Sequence, residues 1–367
     1  MKTTIRNTAL MTSLAVAGMC AHAEGFNFYA LLDGGIAHSS ISSGGGSKTE
    51  FVTGGYAPNF FGMKAEKTMG QGYSAGFNLE QGFLLNKPNG AANNGYEANS
   101  RFAFGGDSLF NRQANLYLTS SKGTLKVGTQ SNVVFDSLVA SDPRFGSNYA
   151  SSLATVVADG GLNTTDDGAI SYSFPAVAGI TTTVEYVAQA NSGNSTMKSG
   201  ERVAFNYAAD GIKATLGYYT NEGTTNGASS AAAHGYVLGV SKRIGSFDLK
   251  ALYVDQTGYN GLNSVRLSGL KTTGLGGAYF LNPEVTLDFG IYKSKKDTYD
   301  VSTVGFGAQY KFLKDLTLYG QYAQVKNDGT SNAIFNFTPP NDTAFTGVLS
   351  SGKTATTINV GFLYSFF

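Results

Sequence analysis

Catalysis by proton transfer or nucleophilic attack needs a base held beside a nucleophile, and this sequence is poor in both. Its single cysteine is Cys20, and its three histidines are His22, His38 and His234. Cys20 and His22 both fall in "MKTTIRNTALMTSLAVAGMCAHAEG", where Lys2 and Arg6 precede an uncharged stretch that ends in Ala21-His22-Ala23. That is the pattern of a secretory signal peptide spanning 1 to 23. Residues 24 to 367 then form the mature chain, which is expected to hold no cysteine. Disulfides, thiolate catalysis and cysteine-ligated metals are thereby excluded. His38 and His234 are too few and too far apart in sequence for the usual histidine metal site. The expectation is a protein with no catalytic residues, no metal and no cofactor.

Charge excludes a second class of function. The chain has 26 Lys plus Arg and 25 Asp plus Glu, and losing Lys2 and Arg6 leaves 24 against 25. Such a balance offers no electrostatic footprint for nucleic acid. Gly 48, Tyr 21 and Phe 25 against Pro 7 describe a chain of strand formers and glycine. No stretch after the leader has 18 consecutive apolar residues, so no membrane-spanning helix is expected.

Any functional groups must therefore be positioned by strands, and alternation is the dominant pattern. At the terminus, "TINVGFLYSFF", Ile358, Val360, Phe362, Tyr364 and Phe366 share one face. In "PEVTLDFGIYKS", Val285, Leu287, Phe289 and Ile291 oppose Thr286, Asp288, Gly290 and Tyr292. "GIKATLGYYT", "SFDLKALYVD" and "VGFGAQYKF" read the same way. Short joints rich in Gly, Pro or Asp appear at "KTMGQGY", "SSKGT", "FPAVAGI", "AADGI", "RIGSF", "FLNPE" and "FLKDL", and long polar connections alternate with them. Seven hairpins and one strand at each end make sixteen strands, with about 21 residues for each strand and its connection.

A soluble sandwich would bury one face of every strand in a dry core. The opposing set here, full of Lys, Glu, Asp, Gln, Asn and Thr, would not tolerate that core. The pattern predicts an all-β fold, a 16-stranded antiparallel transmembrane barrel that is apolar outside and wet inside. Its last strand would pair with its first.

Three stretches then resemble a known family. "NFFGMKAEKTMGQGYSAGFNLEQGF", "NRQANLYLTSSKGTLKVGTQ" and "AISYSFPAVAGITTTVEY" are similar, in order, to strand pairs of the trimeric general porins of Gram-negative, especially β-proteobacterial, outer membranes. "FYALLDGGIAHSS" and the aromatic terminus match as well. The chain departs from the family in having Phe367 after Phe366, and in having no Trp.

The resemblance implies an outer-membrane homotrimer, embedded in lipid, that passes small hydrophilic solutes and ions. A channel specific for a sugar or an organic anion is the alternative, with Phe60, Tyr219 and Tyr292 as stacking faces. It also implies that the third external loop, Ser131 to Asp167, folds into the barrel and sets acids against a basic wall. Asp136, Asp142, Arg144 and Asp159 are the loop residues expected at the constriction. Phe60, Lys64, Glu66, Glu80, Asn111 and Lys126 are expected on the wall. Arg112 falls by alternation on the outward side, and Phe60, Asn111 and Thr129 stand where relatives carry arginine. The wall is thus expected to be thin in cations, and the constriction to favour cations as permeants or to favour anions only weakly.

Overall fold

The computed structural model describes residues 25 to 85, 109 to 159, 162 to 188, 199 to 221, 233 to 260, 265 to 335 and 348 to 366. The expected signal peptide, 1 to 23, lies outside them. The first strands are β1 (Gly25–Ile41), β2 (Ser47–Thr53), β3 (Phe60–Gly70), β4 (Tyr73–Gly82), β5 (Gln113–Ser120) and β6 (Gly123–Ser131). A helix, α1 (Val133–Ser141), and a π-helical turn (Ala154–Asp159) follow. Then come β7 (Thr165–Ser173), β8 (Ile180–Val187), β9 (Gly200–Ala209), β10 (Ile212–Asn221), β11 (Ala233–Ile244) and β12 (Phe247–Asn260). The chain ends with β13 (Val265–Phe280), β14 (Val285–Lys296), β15 (Tyr299–Lys311), β16 (Leu316–Asn327), the short pair β17 (Ala333–Ile334) and β18 (Val348–Leu349), and β19 (Thr354–Phe366).

Every strand of the main sheet pairs antiparallel with its neighbours, and β19 pairs back onto β1 from Ala30↔Phe366 to Ile41↔Ala355. The sheet is closed. It has sixteen positions, because β2 and β3 share the second: β2 pairs with the upper part of β1 (Gly34 to Ser40) and β3 with the lower part (Gly25 to Leu31). Closure gives every strand of the main sheet a partner on both sides except β2, which among the described residues pairs with β1 alone. All seven short joints predicted from sequence are tight turns between paired strands. At the β9–β10 turn, Asp210 and Gly211 have φ of 51° and 71°, as a two-residue type I′ hairpin requires.

Alternation sorts the side chains as the sequence implied. On β19, Ile358, Val360 and Phe366 are 54%, 56% and 52% exposed, while Thr357, Asn359 and Leu363 between them are buried. The same exposed apolar row runs through Leu287, Phe289 and Ile291 of β14 and Leu238 and Val240 of β11. An aromatic group made by Phe28, Phe61, Phe83 and Phe366 covers the outside of the β19–β1–β3–β4 quarter. A sheet whose exposed face is apolar and whose inner face is polar is stable only with hydrocarbon outside.

Candidate functional site

Between β6 and β7 the chain builds α1 on a capped start. Asn132 Oδ1 accepts from the N–H groups of Val134 (2.9 Å) and Phe135 (3.1 Å). Val134 and Leu138 of the helix, with Leu153, Val156 and Leu162 beyond it, pack on Tyr219, Val237, Leu252 and Val254. Those four belong to the inner rows of β10, β11 and β12. Lys250, also on the inner row of β12, donates to Ala140 O (3.0 Å) and lies 4.0 Å from the centre of the Phe145 ring. A cation is thereby set against the carbonyl end of a helix that has no basic residue in its last turn.

Past the helix the segment reaches the other wall. Arg144 Nε donates to Asp288 Oδ1 on β14 (2.7 Å), and Arg144 Nη2 donates to Gln321 Oε1 on β16 (3.0 Å). Both members of the ion pair have wholly buried side chains. Gly290 and Gly305 make this possible: a Cβ at Gly290 would stand 2.8 Å from Arg144 Cγ, and one at Gly305 2.6 Å from Arg144 Nη1. Asn148 then enters the break between β2 and β3, donating from its backbone to Tyr56 O (3.1 Å) and from its side chain to Gly54 O (2.6 Å). The break is braced by Asp33, whose Oδ2 accepts from Tyr56 N and Ala57 N, both at 2.6 Å.

The expected constriction residues fare differently. Asp142 is wholly buried and accepts from Arg144 N (2.8 Å), Tyr292 Oη (2.9 Å), Ser152 N (3.0 Å) and Ser152 Oγ (2.6 Å). It is a bracket inside the segment. Arg144 is likewise a buried tie. The Asp159 side chain lies outside the described residues. Of the three whose side chains are described, Asp136 alone is partly open to water, and Ser131 Oγ donates to it at 2.5 Å. Burial pushes its carboxyl above the usual range, while the Ser131 hydrogen bond and the charges of Lys126 and Arg112 pull it back.

On the wall, Lys64 and Lys126 lie on inner rows and are partly exposed, and Glu66 is exposed beside Tyr117, whose hydroxyl donates to it at 3.0 Å. Phe60 is 1% exposed, covered by Tyr29 and by the Arg112 guanidinium 4.8 Å from its ring centre, so it offers no face to a solute. Asn111 Oδ1 accepts from Gly82 N at 2.8 Å. Glu80 is buried and accepts from Tyr29 Oη (3.0 Å) and Arg112 Nε (2.5 Å). Arg112 is therefore inside the barrel. It precedes the first residue of β5, where the chain is not yet extended and alternation does not apply. Tyr219 and Tyr292 are buried under the segment, unavailable as stacking faces.

A second connection also turns inward. Ala333 and Phe335, with Leu349, pack on Leu270, Tyr299, Val301, Val325 and Ala355, the inner rows at the upper ends of β13, β15, β16 and β19. The pair β17–β18 lies against the π-helical turn at Ala154–Asp159.

Two runs spell enzyme motifs and lack their context. Gly72 to Gly76 reads G-x-S-x-G but spans the β3–β4 turn and the start of β4, with no helix after it. Gly347 to Thr354 reads G-x-x-x-x-G-K-T, yet Thr354 opens strand β19 and Lys353 Nζ donates to Ser43 O at 2.7 Å. Gly347 itself lies outside the described residues. His38 stands on the exposed outer row of β1, 2.7 Å from Thr49 Oγ1.

The family model for Gram-negative porins matches residues 8–330. The chain is a Gram-negative porin. No curated protein matched it. Among solved structures, it resembles an anion-selective porin from Comamonas acidovorans at a TM-score of 0.74 and 17% identity, over 94% of this chain and 100% of that one. It also resembles OmpF of Salmonella typhi (TM-score 0.66, 16% identity, 94% and 98% covered) and OmpT of Vibrio cholerae (0.65, 13%, 95% and 99%). At such identities the likeness speaks for the fold. The porin is thus a multi-pass outer-membrane channel for passive diffusion of small hydrophilic solutes and ions.

Proposed function

We propose that this porin is a general diffusion channel, a homotrimer without catalytic activity, whose water path runs between α1 and the wall of β3 to β6. The observation that carries this reading is the buried Arg144–Asp288 pair, which ties the 131 to 167 segment to the inner face of β14. A segment held at α1 by β10 to β12 and at Asn148 by the β2–β3 break leaves the β3 to β6 side free. Lys64, Arg112 and Lys126 stand on that side, and Asp136 feels the charge of the last two. Because Asp142 and Arg144 are consumed by the segment's own fixings, the field across the path is set by Lys64 and Lys126 against Asp136. Selectivity is accordingly weak, with neither sign of charge in large excess.

Support for the trimer comes from the trimeric form described for OmpT of Vibrio cholerae, and the aromatic group of Phe28, Phe61, Phe83 and Phe366 over β19, β1, β3 and β4 is the face we assign to the subunit contact. Planar-bilayer recording in a salt gradient tests the channel reading. Deleting 147 to 158 is expected to raise single-channel conductance, and an unchanged value in correctly folded protein would refute the constriction. Unboiled protein is expected to migrate as a compact oligomer in mild detergent, and a monomer before heating would refute the trimer.

A further inference from the structure

Two tyrosines on the free wall lie flat against glycines. Tyr117 of β5 reaches across β4 to donate to Glu66 Oε2 on β3 at 3.0 Å, and a Cβ at Gly76 beneath it would collide with its Cζ and Oη. Tyr29 of β1 reaches across β3 to donate to Glu80 Oε2 at 3.0 Å, and a Cβ at Gly62 would stand 2.5 Å from its Cζ. Each ring thus has one face on backbone and its hydroxyl tethered at the far end. Tyr117 is only half-buried, which leaves its second face toward the lumen.

Polar groups frame that face. Register places Lys126 opposite Tyr117, and Gly76 opposite both Tyr117 and Glu66. One row nearer the external end, about 7 Å along the strands, stand Lys64, Asn78 and Asn115. Lys64 Nζ is 6.0 Å from the Tyr29 ring centre, so the ammonium stands between the two rings. Lys64 and Lys126 make no hydrogen bond or ion pair among the described residues. Asn78 Nδ2 donates to Asn115 Oδ1 at 3.2 Å, and Asn115 Nδ2 donates to Thr129 O at 2.8 Å, so Asn78 Oδ1 is left to accept. Charge on this wall nearly cancels. Lys64 and Lys126 stand against Glu66 and against Asp136, whose carboxyl feels Lys126, while Arg112 is paired with Glu80 at 2.5 Å.

We propose that Tyr117, Lys64 and Glu66 form a weak subsite for a cyclic sugar acid, a pyranose ring that carries one carboxylate. The apolar face of the ring stacks on Tyr117, and the carboxylate meets the Lys64 ammonium. Hydroxyls both donate and accept, and they meet Glu66, Asn78 Oδ1 and Lys126. A few polar groups around a flat apolar floor fix the orientation of a bound solute. Because the charges nearly cancel, an anion without the ring gains little, and a ring without charge gains the stacking alone. The inference rests on the diffusion-channel reading, since the wall of β3 to β6 must line the water path.

The test uses the full mature porin in a planar bilayer. The concentration that halves the ionic current is read for glucuronate, glucose and gluconate, which carry ring and charge, ring alone and charge alone. Wild type is expected to be half-blocked at an about three- to tenfold lower concentration of glucuronate than of either other solute, as one aromatic or one charge contact allows. Tyr117→Leu is expected to bring glucuronate to the level of gluconate. Lys64→Gln, at a partly exposed side chain, is expected to bring it to the level of glucose. Lys213→Gln removes a charge from the inner row of β10 and is expected to keep the wild-type order. Equal half-blocking concentrations for the three solutes in a conducting wild type would overturn the subsite alone, as would a Lys64→Gln variant that keeps the wild-type preference. A folded protein that conducts no ions would overturn the channel reading as well.

Discussion

Arg144 Nε lies 2.7 Å from Asp288 Oδ1 across the interior of the barrel, and neither side chain touches water. Removing one partner leaves the other charged and buried, a loss of about 3–5 kcal/mol. Arg144→Ala is therefore expected to free the segment tip and to give single-channel currents that are larger or noisier than wild type. Quiet, unchanged currents from folded protein would show that the pair does not hold the segment.

Asp142 and Asp136 are expected to separate in their effects. Asp136→Asn removes a charge facing the path and should move the reversal potential toward anions, and Lys126→Gln should move it toward cations. Unit charges ~8 Å apart at an effective dielectric of ~20 interact by roughly 2 kcal/mol before screening, so shifts of several-fold in permeability ratio are expected at low salt and smaller ones at high salt. Asp142→Asn should leave selectivity nearly unchanged and alter conductance or its noise, because Asp142 braces Tyr292 and Ser152. A selectivity shift for Asp142→Asn as large as that for Asp136→Asn would contradict its burial.

The difference between these two aspartates marks the boundary of what a sequence can express. Alternation on β14 and β19 announced which face meets lipid, because side-chain direction reverses at every residue of a strand. It could not rank Asp136 and Asp142, six residues apart, by environment, since the burial of Asp142 is completed by Tyr292 on a strand more than a hundred residues away. Arg112 was misassigned for a local reason: the period of two begins only at Gln113. One signal was available and unread. Tyr219, Val237, Leu252, Leu270, Tyr299 and Val301 are apolar residues on rows that ought to be wet, and each lies under an inward-folded connection. Glycines on the same rows, such as Gly290 and Gly305, mark where that connection lies closest.

Acidification offers a separate readout. Burial raises the Asp136 carboxyl, so the folded protein holds that proton more tightly than the unfolded chain. Its contribution to stability is present at low pH and is lost as pH rises through the raised value. As pH falls through the same window the negative pole of the path disappears, and the reversal potential should move toward anions at a pH above the usual carboxylate range. Measuring that potential across a pH series, with Asp136→Asn as the flat control, checks the assignment. A titrating shift that persists in the variant would implicate another group.

Phe335 is 2% exposed; it directly follows β17 and packs with Ala333 and Leu349 on the inner rows of the barrel. Phe335→Ala should cost about 3–5 kcal/mol of local packing. The expected outcome is protease sensitivity near residue 335 together with altered conductance, in a barrel that still migrates as a compact species before boiling. Wild-type protease resistance would show that this contact is dispensable.

The twelve register pairs between Ala30 to Ile41 and Ala355 to Phe366 give the cylinder a seam between the two ends of the chain. Hairpins such as β9–β10 join neighbours in sequence and have little loop entropy to overcome, whereas the seam joins residues more than three hundred apart. Until the final strand has emerged, β1 keeps a free edge and the growing sheet cannot become a cylinder. A chain truncated by one strand is left with two unsatisfied edges in a medium that supplies no hydrogen bonds. Formation of the cylinder is consequently all-or-nothing with respect to β19, the strand that joins β16 to β1.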